Sequence, residues 1–227
     1  MTRFSKFLTM VAAVGSVAFL AGAASANMVT NPGFETGTFT GWNPWFYNGG
    51  NANLSDTWYV SNNPNDAHSG TYGAVTAFTV PTGTTTPTSY AGVYQNIPDA
   101  SAAGEAFNAS AWISTDAIDG YSEAYLQVQF QNSSGTVLQQ IGTPFITGNN
   151  LPYAQYSLNN LVAPSGTTII QIQGVIEGIG GLNATSSNTG YTRFDDFSLT
   201  PVPEPATIAL MAIGFTGLAL VSRRRRA

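Results

Sequence analysis

The chain has 227 residues, a formal net charge of −5, one His and no Cys. Without Cys there is no thiol chemistry, no disulfide and no Cys-ligated zinc, and His68 alone cannot build a His-rich metal centre. Between Asn27 and Pro201, eleven carboxylates stand against one cation, Arg193, so nucleic acid and anionic lipid are poor partners, whereas cations and neutral polymers suit such a surface.

The N-terminus reads as a secretory signal over residues 1–26. Arg3 and Lys6 form the positive region, residues 7–20 the apolar run, and Ala24, Ser25 and Ala26 a small-residue cleavage site. Residues 27–201 follow, enough for one domain with a sizeable core. Their low charge, abundant Asn, Thr, Ser and Gly, and many aromatics predict an all-β body.

Period-2 alternation predicts strands in chain order at 42–46, 58–60, 72–78, 91–97, 105–113, 124–132, 137–145, 154–158, 168–177 and 191–200. In the sixth, Leu126, Val128 and Phe130 share one face, and Tyr125, Gln127, Gln129 and Gln131 the other. In the ninth, Ile170, Ile172 and Ile176 are the expected core residues. Residues 132–135, Asn-Ser-Ser-Gly, signal a tight hairpin. Residues 79–89 and 178–190 read as loops. Nine or ten such strands predict two packed antiparallel sheets, a jelly-roll sandwich.

Three landmarks recur in order. They are the opening Asn31-Pro32-Gly33-Phe34-Glu35 with its following Trp42, the segment His68-Ser69-Gly70-Thr71-Tyr72, and the closing Asp195-Asp196-Phe197-Ser198-Leu199. Together they resemble the galactose-binding-like jelly rolls that include many carbohydrate-binding modules. The resemblance implies a structural calcium ion held by Glu35 and Asp195 with backbone carbonyls. Period 2 also turns Asp195 inward with Phe197 and Leu199, and a buried lone carboxylate needs a cation or strong donors. Pairing with Arg193 or capping of a turn would meet the same need.

His68 with Asp66 and Ser69 offers hydrolase residue types, but neighbours in sequence do not make a triad, and His68 reads as structural. No pair of acids is singled out for glycoside hydrolysis. No catalytic residue is therefore predicted. Among the aromatics Trp42, Trp45, Tyr47, Trp58, Tyr59 and Tyr125, some are expected to stack on sugar rings. Tyr125 with Gln127 and Gln129 forms the first choice of glycan-binding residues, ahead of Trp42, Trp45 and Trp58.

The C-terminus carries Pro203-Glu204-Pro205, an uncharged run over 206–221, then Arg223, Arg224, Arg225 and Arg226. Sixteen residues at 1.5 Å rise span about 24 Å, short for a membrane core of about 30 Å but usable as a transmembrane helix, since Arg side chains snorkel. The Arg cluster stays cytoplasmic. Residues 202–227 resemble the PEP-CTERM sorting signal of exopolysaccharide-producing bacteria. That resemblance implies an exosortase as processing partner, a transient inner-membrane anchor, and release to the cell surface or extracellular matrix. The resulting expectation is an exported, non-catalytic surface or matrix protein associated with extracellular polysaccharide. A dedicated carbohydrate-binding module and a polysaccharide-active enzyme are the alternatives.

Overall fold

The computed structural model describes residues 25–50, 54–80, 89–116, 123–148, 150–177 and 188–203. The predicted signal peptide and C-terminal helix lie outside these residues, as do Glu204, Pro205 and the four terminal Arg. Compact packing runs from Asn27–Pro201.

Ten strands make up this body: β1 Asn43–Tyr47, β2 Ser55–Ser61, β3 Gly73–Val80, β4 Tyr90–Pro98, β5 Ala106–Asp116, β6 Glu123–Gln131, β7 Val137–Gly142, β8 Leu151–Val162, β9 Ile169–Glu177 and β10 Asn188–Pro201. They form two five-stranded sheets, ordered β1-β4-β9-β6-β7 and β2-β3-β10-β5-β8. Every pairing is antiparallel. The protein is an all-β, two-sheet sandwich.

Alternation places the core. Phe107, Ala109, Ala111 and Ile113 of β5, and Phe194 and Leu199 of β10, meet Leu126, Val128 and Phe130 of β6 and Ile170, Ile172 and Ile176 of β9. Within β9 the core position between Ile172 and Ile176 is Gly174. A Cβ there would stand 2.4 Å from Cδ1 of Phe194, so the glycine admits the Phe194 ring from the opposite sheet. The opening segment closes one end. Phe34, fully buried, packs on Trp42 at 5.2 Å and edge-on to Phe197 at 6.2 Å. Gln95, facing inward from β4, pins this segment by accepting from Thr30 N at 2.7 Å and donating to Thr30 O at 2.9 Å.

Three expectations change. The strand expected to run to Phe145 ends at Gly142, because Pro144 has no N–H for the ladder, and pairing resumes only as a bridge from Ile146 to Ala124. β8 is longer than 154–158. It is an edge strand on which only Leu161 is buried and half of the positions are exposed, so its core-facing side is weakly marked. The third concerns Asp195. β10 carries a bulge between Asp195 and Ser198, with Asp196 at φ 46°. Three steps on β10 match two on β5, which flips the period. Phe194, Phe197 and Leu199 all reach the core, whereas Asp195 pairs in register with Trp112 on the opposite side of the sheet.

Candidate functional site

The outer face of the β1-β4-β9-β6-β7 sheet is built in rows set by register. The first row is Tyr47, Tyr90, Glu177 and Glu123; the second is Trp45, Gly92, Val175 and Tyr125. The third is Asn43, Tyr94, Gln173, Gln127 and Gly142, and the fourth is Asn96, Gln171, Gln129 and Gln140. With strands about 4.8 Å apart, five strands give a strip about 19 Å wide. A Cβ on Gly92 would lie 2.5 Å from Trp45 Nε1, so the missing side chain lets the indole lie flat on the sheet.

Amides tie the strands together. Gln129 Nε2 donates to Gln127 Oε1 and to Gln140 Oε1, both at 3.0 Å. Gln131 Nε2 donates to Gln129 Oε1 at 3.0 Å, Gln171 Nε2 to Asn96 Oδ1 at 2.8 Å, and Gln173 Nε2 to Gln127 Oε1. At the other end Tyr90 Oη and Tyr125 Oη donate to the two oxygens of Glu177, at 3.3 and 3.4 Å. Burial, followed by the Glu177 charge, pushes the Tyr125 phenol far above its usual range, so it stays a neutral donor. The arrangement is a preorganised polar floor with aromatic flanks, suited to hydrogen-bonding and stacking on a neutral, hydroxyl-rich chain.

Tyr125, Gln127, Gln129 and Trp45 come together on this face. Trp42 and Trp58 do not. Trp42 is only 4% exposed, packs 4.5 Å from Phe197, and gives its indole N–H to Asn31 O at 3.0 Å. Trp58 lies on β2 of the other sheet and stacks on Phe194. Both are interior packing residues, which corrects their assignment to a glycan platform. Tyr125 is itself only 8% exposed, and the half-buried Trp45 is the more open ring. Tyr90, Tyr94, Gln171, Gln173 and Glu177 were not singled out by the sequence. The alternation of Gln171 and Gln173 with Ile170 and Ile172 was the available signal; that β9 lies beside β6 was not.

The acidic landmarks meet elsewhere, at the loop before β3. Asp195 is fully buried under that loop and accepts from His68 N at 2.7 Å, Ser69 N at 3.2 Å and Asp196 N at 2.8 Å. Glu35 accepts from Thr71 N at 3.0 Å and Tyr72 N at 3.1 Å. Arg193 does not reach Asp195; it holds Asp66 at 2.5 Å and Asp116 at 3.5 Å. His68 stacks on Trp112 at 3.6 Å and bonds Asp196 through Nδ1 at 2.7 Å. Ser69 Oγ donates to Asp196 rather than to His68, so no nucleophile–base pair forms there. Burial, offset by the backbone donors and reinforced by the Asp196 charge, lifts the Asp195 carboxyl to about 7.

A Cβ on Gly33 would meet Asp196 Oδ1 at 3.1 Å, Asp195 Oδ1 at 3.4 Å and Glu35 Cγ at 3.8 Å. Three acid side chains thus converge on one glycine with no Lys or Arg between them. Glu35 reaches this cradle only through Cγ, its oxygens being turned to Thr71 N and Tyr72 N, and among the described residues no group of three or more His, Asp or Glu is arranged to hold a metal ion.

The PEP-CTERM protein-sorting motif matches residues 201–226. No curated protein matches the chain in sequence. Among solved structures, the body is similar to the CBM22-1 xylan-binding domain of Paenibacillus barcinonensis Xyn10C, at 14% identity and TM-score 0.51, covering 81% of this chain and 99% of that one. It is also similar to the enzymatically active domain of bacteriophage CBA120 tailspike protein 4, at 17% identity and TM-score 0.55, covering 78% of this chain but 21% of that one. A third neighbour belongs to the carbohydrate-binding modules of the β-sandwich superfamily, at 13% identity and TM-score 0.50, covering 79% of this chain and 63% of that one. The motif marks an exported protein processed at the cell envelope. The chain carries a PEP-CTERM protein-sorting motif at its C-terminus, and its body has the β-sandwich fold of carbohydrate-binding modules.

Proposed function

We propose that the protein is an exosortase-processed, non-catalytic polysaccharide-binding protein of the cell surface or extracellular matrix. The observation that carries this reading is the outer face of the β1-β4-β9-β6-β7 sheet. There Trp45, Tyr94 and Tyr125 flank an amide ladder of Gln127, Gln129, Gln140 and Gln173, in a body whose neighbours include carbohydrate-binding modules. Sugar rings stack on the half-buried Trp45 and Tyr94, and Gln129, Gln140 and Glu177 meet the hydroxyls over the buried Gln127 and Gln173. The signal peptide leads this body across the membrane, the predicted helix over 206–221 serves as a transient anchor, and the exosortase removes the tail.

The non-catalytic reading is part of the proposal and is supported by the likeness of the body to carbohydrate-binding modules. A structural calcium at Glu35 and Asp195 belongs to the proposal; when bound it would supply positive charge to the Gly33 cradle and stiffen the loop before β3. The test is affinity electrophoresis of the exported protein through a panel of neutral polysaccharides, with reducing-end release followed in parallel. Retardation by at least one polymer without release is expected. Release of reducing ends would favour the enzyme reading, and absence of any retardation would overturn glycan binding.

A further inference from the structure

One end of the face differs chemically from the rest. Around Glu177 stand Tyr90 and Tyr125, each hydrogen-bonded to one of its oxygens. The Tyr47 ring lies 6.4 Å from that of Tyr90, and the Phe145 ring meets that of Tyr125 edge-on at 5.2 Å. Tyr47 is 55% and Phe145 53% exposed, so the outer walls of this corner are largely open aromatic surface.

Among the described residues no cation pairs with the carboxylate in this surround. Glu123 lies directly across the strand pair from Glu177, and like charges so opposed are destabilising. Arg193 is the sole Lys or Arg between Asn27 and Ser222, and Asp66 and Asp116 hold it on the other sheet. A cation that pairs with it therefore comes from outside the body. A calcium-type ion is a poor match here, because it wants six to eight oxygens and the corner offers ring faces and phenol donors instead. Carboxylate plus aromatic faces is the donor set for an organic ammonium, which pairs with the acid and lies against the rings.

We infer that this corner binds the protonated primary amine of an amino sugar lacking its N-acyl group, so the polysaccharide held on the face is one that carries free amines. The inference rests on the glycan-face reading above. The amide ladder that begins four residues along the strands from Glu123 and Glu177, at Gln127 and Gln173, serves the neighbouring sugars, which favours a glycan over a lysine side chain. An N-acetylated sugar at the same place would leave both carboxylates uncompensated.

The experiment compares three probes against the exported protein at pH 6 by calorimetry: a glucosamine oligomer, the same oligomer fully N-acetylated, and oligolysine of equal charge. The glucosamine oligomer should bind about tenfold more tightly than its acetylated form, and the gap should shrink at high salt. Glu177→Gln and Tyr47→Ala, with unchanged melting, should each bring the two affinities within about twofold. Equal affinity of the wild type for both oligomers would overturn the inference while leaving glycan binding intact. Oligolysine binding as tightly as the glucosamine oligomer would overturn it as general cation attraction. Failure of both oligomers and of every neutral polysaccharide would remove the glycan face itself.

Discussion

At Asp56, on β2, burial pushes the carboxyl up to about 6 against the hydrogen bond it accepts from Thr76 Oγ1, and its second oxygen is buried without a partner. The folded state therefore keeps a proton that the unfolded chain has lost above its ordinary value of 3.8. Stability from this group is complete below pH about 4 and is lost as pH rises through about 6. Asp56→Asn keeps an acceptor for Thr76 and removes the charge, so it should raise the melting temperature at pH 8 and leave it unchanged at pH 4. A variant no more stable than wild type at pH 8 would show that Asp56 carries no such penalty. Asp195 is a different case, since its raised carboxyl sits beside two other acids at Gly33. If calcium binds there, a hundredfold excess over its dissociation constant adds about 2.7 kcal/mol, or roughly 5–10 °C of melting temperature for a body of this size. EDTA should reverse the rise and Asp195→Asn should abolish it. A melt indifferent to both calcium and EDTA would mean that the N–H groups of His68, Ser69 and Asp196 suffice.

Among the elements, β5, β6 and β9 announced themselves. Their apolar positions alternate with mostly polar ones, so Leu126, Val128, Phe130, Ile170, Ile172 and Ile176 were legible as core. Edge strands were less so, because β8 buries only Leu161 along its core-facing side and β7 is cut by Pro144. The β10 bulge was illegible for a physical reason: one extra residue inverts every side chain beyond it, and nothing local in Asp195-Asp196 declares it. For the same reason the glutamine face was half visible. Tyr125, Gln127 and Gln129 share one strand, but their partners Gln173, Tyr94 and Trp45 arrive from strands whose pairing depends on the whole topology. Gly174 gives a test at this scale. Gly174→Ala places a methyl group inside the Phe194 ring and should cost about 1–3 kcal/mol by overpacking, read as a lower urea midpoint at unchanged slope. Wild-type stability in this variant would mean that the two sheets are not in the described contact at β9 and β10.

For the whole molecule, the body and its tail make separate claims. The sorting motif begins where β10 ends, at Pro201, with Val202 and the exposed Pro203 next in the chain. Intact-mass analysis of the exported protein should show loss of residues 1–26 and of everything from about Glu204 onward; a mature form retaining the four terminal Arg would contradict processing at the motif. Trp58 and Trp42 show why the aromatic count could not identify the glycan surface, since two of the candidate rings stabilise the interior and only their packing reveals it. The central claim is that the body holds polysaccharide on the outer face of the β1-β4-β9-β6-β7 sheet. Its most direct test is retention of the exported protein on an immobilised polysaccharide that it binds, comparing Trp45→Ala with Tyr59→Ala, a half-exposed aromatic on the other sheet. Loss of one stacking ring, worth on the order of 1 kcal/mol, predicts a several-fold drop for Trp45→Ala and none for Tyr59→Ala. Equal retention of both variants and the wild type would contradict the assignment of the binding face.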